Sequence, residues 1–126
     1  SPSGLTLITL SGEIRYVSPR WTQMLGYTLE DLRGKYSTDL WSNPQDRLKY
    51  LEQLDRDGSV RNFEGQVRAK SGELVWCLLN GSDVEVGGLD PDGHRTLSRL
   101  IRRSPAAAAR LRHPDAPACR VARCRG

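Results

Sequence analysis

Asn62-Phe63-Glu64-Gly65-Gln66-Val67-Arg68-Ala69-Lys70-Ser71-Gly72-Glu73-Leu74-Val75-Trp76-Cys77-Leu78-Leu79 is the stretch that decides the fold. Its first eight residues alternate. Phe63, Gly65, Val67 and Ala69 project one way, and Glu64, Gln66 and Arg68 the other. A period of two with one apolar side is the pattern of a half-buried antiparallel strand. Lys70-Ser71-Gly72-Glu73 follows, with a glycine to supply the positive φ of a hairpin turn. Residues 74–79 are apolar on both sides, with Leu74, Trp76 and Leu78 on one and Val75, Cys77 and Leu79 on the other. A second strand therefore returns beside the first and is covered on both faces.

Upstream, residues 5–10 and 14–17 are short apolar runs around a Ser11-Gly12 turn, which reads as another hairpin. Ser18 and Pro19 are suited to cap and open a helix. Trp21, Met24 and Leu25 then share one helical face, and Gly26 ends it. Thr28 and Asp31 have capping-box spacing for a second short helix that stops at Gly34. Residues 36–41 read as a loop with one helical turn. Asn43, Pro44 and Asp46 open the clearest helix, in which Leu48, Leu51 and Leu54 form an apolar stripe before Gly58. Downstream, residues 87–93 are a Gly/Asp/Pro loop and residues 94–101 a last strand. The order is two strands, three or four short helices, then three strands. It predicts an α+β domain with its helices on one face of the sheet.

Composition narrows the function. With 126 residues, one domain is expected. Residues 1–101 carry 12 Lys/Arg against 14 Asp/Glu, while residues 102–126 carry seven Arg against one Asp. The net +4 thus comes from the tail, and the folded part gives no electrostatic case for nucleic acid. No apolar run approaches a membrane span, and Ser1-Pro2-Ser3-Gly4 lacks the pattern of a secretory signal. Three cysteines (Cys77, Cys119 and Cys124) argue against a disulfide framework and for a reducing, cytoplasmic setting.

These motifs together resemble a PAS domain. Gly12-Glu13-Ile14-Arg15-Tyr16-Val17-Ser18-Pro19 is similar to that family's first hairpin and helix. Leu25-Gly26-Tyr27, Glu30-Asp31-Leu32 and Gly34-Lys35 are similar to its next segment. Asn43-Pro44-Gln45-Asp46-Arg47 resembles the start of its long helix. Phe63-Glu64, Lys70-Ser71-Gly72-Glu73 and Trp76 resemble its late hairpin. The resemblance covers about residues 5–102 and implies a five-stranded antiparallel sheet with short helices on one face. Ser18 and Asn43 stand where the family often has Asn and His, and both still cap helices. After Ile101 the chain reads Arg102-Arg103-Ser104-Pro105, where the family continues with an Asp-Ile-Thr-like exit into a signalling helix.

The resemblance implies sensory input to an output domain such as a histidine kinase or a diguanylate cyclase. Its ligand, where there is one, lies between sheet and long helix. That implies a pocket lined by Leu48, Leu51 and Leu54 with Phe63, Gly65, Val67, Cys77 and Leu79, or with Trp76 and Leu78 if the other strand face is inward. Gly65 leaves room for a ligand there. The plainer alternative is that these side chains only fill a core and the domain is a dimerisation module. Homodimers of the family often form through the outer sheet face, where Val75 or Trp76 would be an anchor.

No cofactor is identified. Haem-binding relatives use a His on the long helix, and residues 44–57 contain none. Flavin photoreceptors use a Cys in the helical segment, and this chain has none there. His94 reads as a surface or loop residue. His113, Cys119 and Cys124 are too loosely spaced for a zinc site. No catalytic triad or phosphate loop is present, so no enzyme activity is expected. The sequence divides into a sensor domain, residues 1–103, and a basic disordered tail, residues 104–126. Three origins for the tail compete: a nucleic-acid or membrane arm, a degraded linker, or an out-of-frame extension.

Overall fold

Capping residues set the helices. The Ser18 hydroxyl accepts from the Trp21 N–H at 3.3 Å and from the Leu5 N–H at 2.9 Å. With Pro19 in first position this opens α1 (Pro19–Leu25), which Gly26 ends at φ 84°. Asn43 accepts from the Gln45 N–H at 2.9 Å and opens α2 (Pro44–Asp57), which closes on Gly58. Between them, Thr28 and Asp31 exchange the two hydrogen bonds of a capping box. The expected second helix does not follow: residues 29–34 form turns closed by i→i−3 bonds. Gly34 comes too soon for a helical nucleus to propagate. Ser37–Asp39 is a single 3₁₀ turn.

The computed structural model describes residues 3–89, 95–99 and 111–124. Its strands are β1 (Gly4–Thr9), β2 (Ile14–Val17), β3 (Ser59–Arg68), β4 (Leu74–Leu89), β5 (Arg95–Arg99) and β6 (Ala118–Cys124). The main path across the sheet is β2-β1-β6-β4-β3, with β5 paired to β4 off that path. The α+β class therefore holds, with a mostly antiparallel sheet and both helices on its inner face. Asn62, at φ 51°, bulges β3 between Val60 and Phe63, and its N–H is held by Asn80 Oδ1 at 3.0 Å.

The tail departs from expectation. Residues 118–124 are no disordered arm: they form the central strand, parallel to β1 on one side and β4 on the other. Val84 pairs with Cys124 on one edge of β4, so its pairing with Arg99 uses the opposite edge, in line with β3. The late segment thus leaves open the slot that the tail fills. The direction of β6 follows from its approach. The Arg112 and His113 N–H groups are held by Glu64 Oε1 on β3, and the His113 ring stacks on Trp76 at 4.2 Å. The chain then passes Pro117, whose carbonyl accepts from the Leu78 N–H at 3.0 Å. It enters the slot from the end where β4 begins and runs alongside it.

A buried ion network holds β6 in place. Arg123 Nε and Nη2 reach Asp83 on β4 at 2.6 and 3.1 Å, and Nη2 reaches Asp55 on α2 at 2.7 Å. Asp83 and Arg123 are both buried, so each compensates a charge that would be costly alone. The proposed boundary at residue 103 therefore does not separate a folded part from an unfolded one. Residues 100–110, and with them part of the expected tail, lie outside the described residues, as does His94.

Candidate functional site

Between α1, α2 and the inner sheet face lies a cavity of about 60 Å³. Its position follows from the sheet register. Thr6, Val121 and Gly81 lie side by side across β1, β6 and β4. Tyr50, 2% exposed, leans from α2 onto this row, and a Cβ at Gly81 would collide with its hydroxyl. Only glycine lets the phenol reach the sheet. Leu40 and Trp41 form part of another wall. The backbone around them adds to the outer edge of β3: Arg68 N–H donates to Leu40 O at 2.8 Å and Ser42 N–H to Gln66 O at 3.0 Å.

The polar groups on the lining are few. Tyr50 OH and Thr6 Oγ1 are both buried, and neither has a hydrogen-bond partner among the described residues. Burial pushes the Tyr50 phenol well above its usual range, so it stays neutral and retains its proton to donate. Arg47 lies one turn before Tyr50 and donates from Nε to Ser37 Oγ at 3.3 Å. Burial lowers its affinity for a proton, and no carboxylate among the described residues pairs with it. The remaining lining is apolar, including Trp21, Leu25, Leu51 and Leu79.

The sequence-derived pocket is brought together only in part. Leu51, Val67 and Leu79 line the cavity. Leu48 does not: it is 55% exposed, because three-residue steps drift around a helix of 3.6 residues per turn. The inward face of α2 is Arg47, Tyr50, Leu51 and Leu54. Leu54 and Cys77 are buried in the core away from the cavity lining, and Phe63, half-buried, packs against that core and is also off the lining. Gly65 leaves no room for a ligand. A Cβ there would meet Leu79 Cδ1 at 2.8 Å and the Trp41 ring at 2.9 Å, so the space is already filled. Trp41, Tyr50 and Phe63 pack over it with ring centroids 5.5–6.0 Å apart. Sequence reading missed Tyr50, Thr6, Arg47 and, on β6, Cys119 and Val121. For Tyr50 the signal was present, as the i+3 neighbour of Arg47 and the i−4 neighbour of Leu54.

The open choice of strand face is settled. Val75, Cys77 and Leu79 point inward, and Val75 packs against the core, so it is not a dimer anchor on the outer face. Trp76 lies on that face, 38% exposed beneath His113. Cys119 and Cys124 project to opposite sides of β6, and the described residues contain no group of three metal-ligating side chains. Cys77 and Cys119 are in thiol contact. That contact, followed by burial, pushes the Cys119 thiol far up, while the same contact draws the Cys77 thiol down.

A family model described as a PAS domain matches residues 2–103. No curated protein matches the chain. The matched span stops before β6, so the strand that completes the cavity comes from outside it.

Proposed function

The chain belongs to the PAS domain family, and from that membership we propose that it is a ligand-sensing input module. PAS domains serve generically in sensing and signalling. The cavity holds a small molecule, and β6, which both lines the cavity and is tied to α2, passes on its presence. The bias would act by favouring one arrangement of helix and sheet over another, as any ligand with different affinity for two states does. An output domain of the parent protein, such as a histidine kinase or a diguanylate cyclase, reads the change. We assign the domain no catalytic step and no haem or flavin.

One observation carries this reading: two buried hydroxyls on the cavity wall have no hydrogen-bond partner among the described residues. A buried polar group without a hydrogen bond costs roughly 1–3 kcal/mol, so a core meant only to be filled would not keep two of them. No helix among the described residues is long and apolar enough to cross a membrane.

Native mass spectrometry of the full chain purified from cells tests the reading. The expected result is a discrete small extra mass that is released on denaturation. A bare protein that is dimeric would overturn it in favour of the dimerisation module. That second reading has its own support in Leu5, Tyr16, Leu74 and Trp76, which leave apolar surface exposed on the outer face of the sheet.

A further inference from the structure

The polar groups around the cavity share one character. Tyr50 OH, Thr6 Oγ1, Ser37 Oγ and the Arg47 guanidinium all have N–H or O–H to give, and no carboxylate is among the described lining residues. A site built of donors and one cation is complementary to an acceptor that carries negative charge. Arg47 is partly desolvated and has no acidic partner among the described residues, so an incoming anion would supply charge compensation that those residues do not. The rest of the wall is apolar, with Trp21, Leu25, Leu40 and Leu51 prominent, and suits a hydrocarbon body. The volume limits size. About 60 Å³ is room for roughly four to six water-sized groups, which is the bulk of a two- to four-carbon acid.

We propose that the cavity takes a short-chain monocarboxylate, its carboxylate held by Arg47 and the cavity hydroxyls and its alkyl chain among the apolar side chains. This rests on the ligand-sensing reading and adds the chemical class to it. Arg47 supplies the charge. Tyr50 and Thr6 donate hydrogen bonds that no described residue accepts. The neutral state of the phenol is what makes it a donor to an anion.

The test is a two-dimensional NMR titration of the full chain with sodium propionate, run against uncharged propionamide at constant ionic strength. Saturable shifts at Thr6, Tyr50 and Leu51 are expected with propionate. Arg47→Met should weaken propionate binding by roughly tenfold or more, as expected for loss of a charge-assisted hydrogen bond. Because Arg47 also holds Ser37, Tyr50→Phe serves as a second variant that keeps the ring packing. It should raise Tm, by removing a buried hydroxyl that has no partner among the described residues, and at the same time weaken propionate binding. That opposed pair of effects does not arise if Tyr50 is only structural.

Equal binding of propionamide, with no effect of Arg47→Met, overturns the monocarboxylate class while leaving a ligand cavity. A retained mass in the native spectrum with no response to either probe does the same. No response to either probe together with a bare native spectrum overturns both the class and the ligand-sensing reading.

Discussion

Asp31 shows how much one half-buried side chain can be asked to do. It accepts from the Thr28 N–H at 2.9 Å and from Lys70 Nζ at 3.0 Å, which joins the turn after α1 to the β3–β4 hairpin. The Thr28 backbone bond first, and Lys70 next, hold its carboxyl at about 2, below the ordinary 3.8. A carboxyl with a lowered folded-state pKa contributes stability that is complete above the unfolded value and disappears as pH falls through the folded one. Acid unfolding monitored between pH 4 and pH 2 should therefore lose a component in Asp31→Asn. Equal acid sensitivity of variant and parent would show that the pair is not formed. The Thr28/Asp31 pairing was readable from spacing because a capping box is local. Arg123 was not readable. In sequence it is one of seven arginines in a basic tail, and its partners Asp83 and Asp55 lie 40 and 68 positions away. Nothing local distinguishes a buried, doubly paired arginine from a solvated one.

At the level of elements, helix ends were readable and helix phase was not. Ser18-Pro19, Asn43-Pro44, Gly26 and Gly58 fix α1 and α2 because caps act within a turn. The three leucines of α2 suggested a stripe, but burial follows Tyr50 and Leu54 instead. This gives a contrast to measure by urea denaturation. Leu54→Ala should cost about 2–5 kcal/mol, as for other fully buried leucines. Leu48→Ala should stay within about 0.5 kcal/mol, as for a surface site. Comparable losses at the two positions would contradict the observed rotation of the helix. The strand pattern was more secure. A period of two needs no knowledge of the partner, and it placed Phe63, Val67 and Ala69 on the inner face correctly. Which side of residues 74–79 faces inward depended on the hairpin register, which pairs Gly65 with Cys77 and Val67 with Val75.

For the whole molecule, the class was written in the order of elements, while the identity of the central strand was not. Residues 94–101 carried the strand pattern expected at that place, and residues 118–124 carried a composition that argued against any fold. Two neighbouring edges, each in need of hydrogen bonds, outweighed composition. Deleting residues 111–126 should therefore separate β2-β1 from β4-β3 and open the cavity along Cys119 and Val121. The expected result is loss of a single cooperative transition in thermal unfolding followed by Trp fluorescence. A shortened chain that still melts in one sharp step near the parent's Tm would show that another segment closes the sheet.

The placement of β6 also has a consequence in time. β1 and β2 meet across a turn of a few residues, but Gly4 pairs with Cys119, more than a hundred positions later. Closing a loop of that length costs about 2 kcal/mol more than closing one of ten residues. Joining the two halves of the sheet is then the slow step of folding, in keeping with the slowness of long-range strand pairing. Until it occurs, the facing edges of β1 and β4 are unsatisfied and open to strands of other molecules. Refolding yield should accordingly fall as concentration rises, even where the finished domain stays in solution.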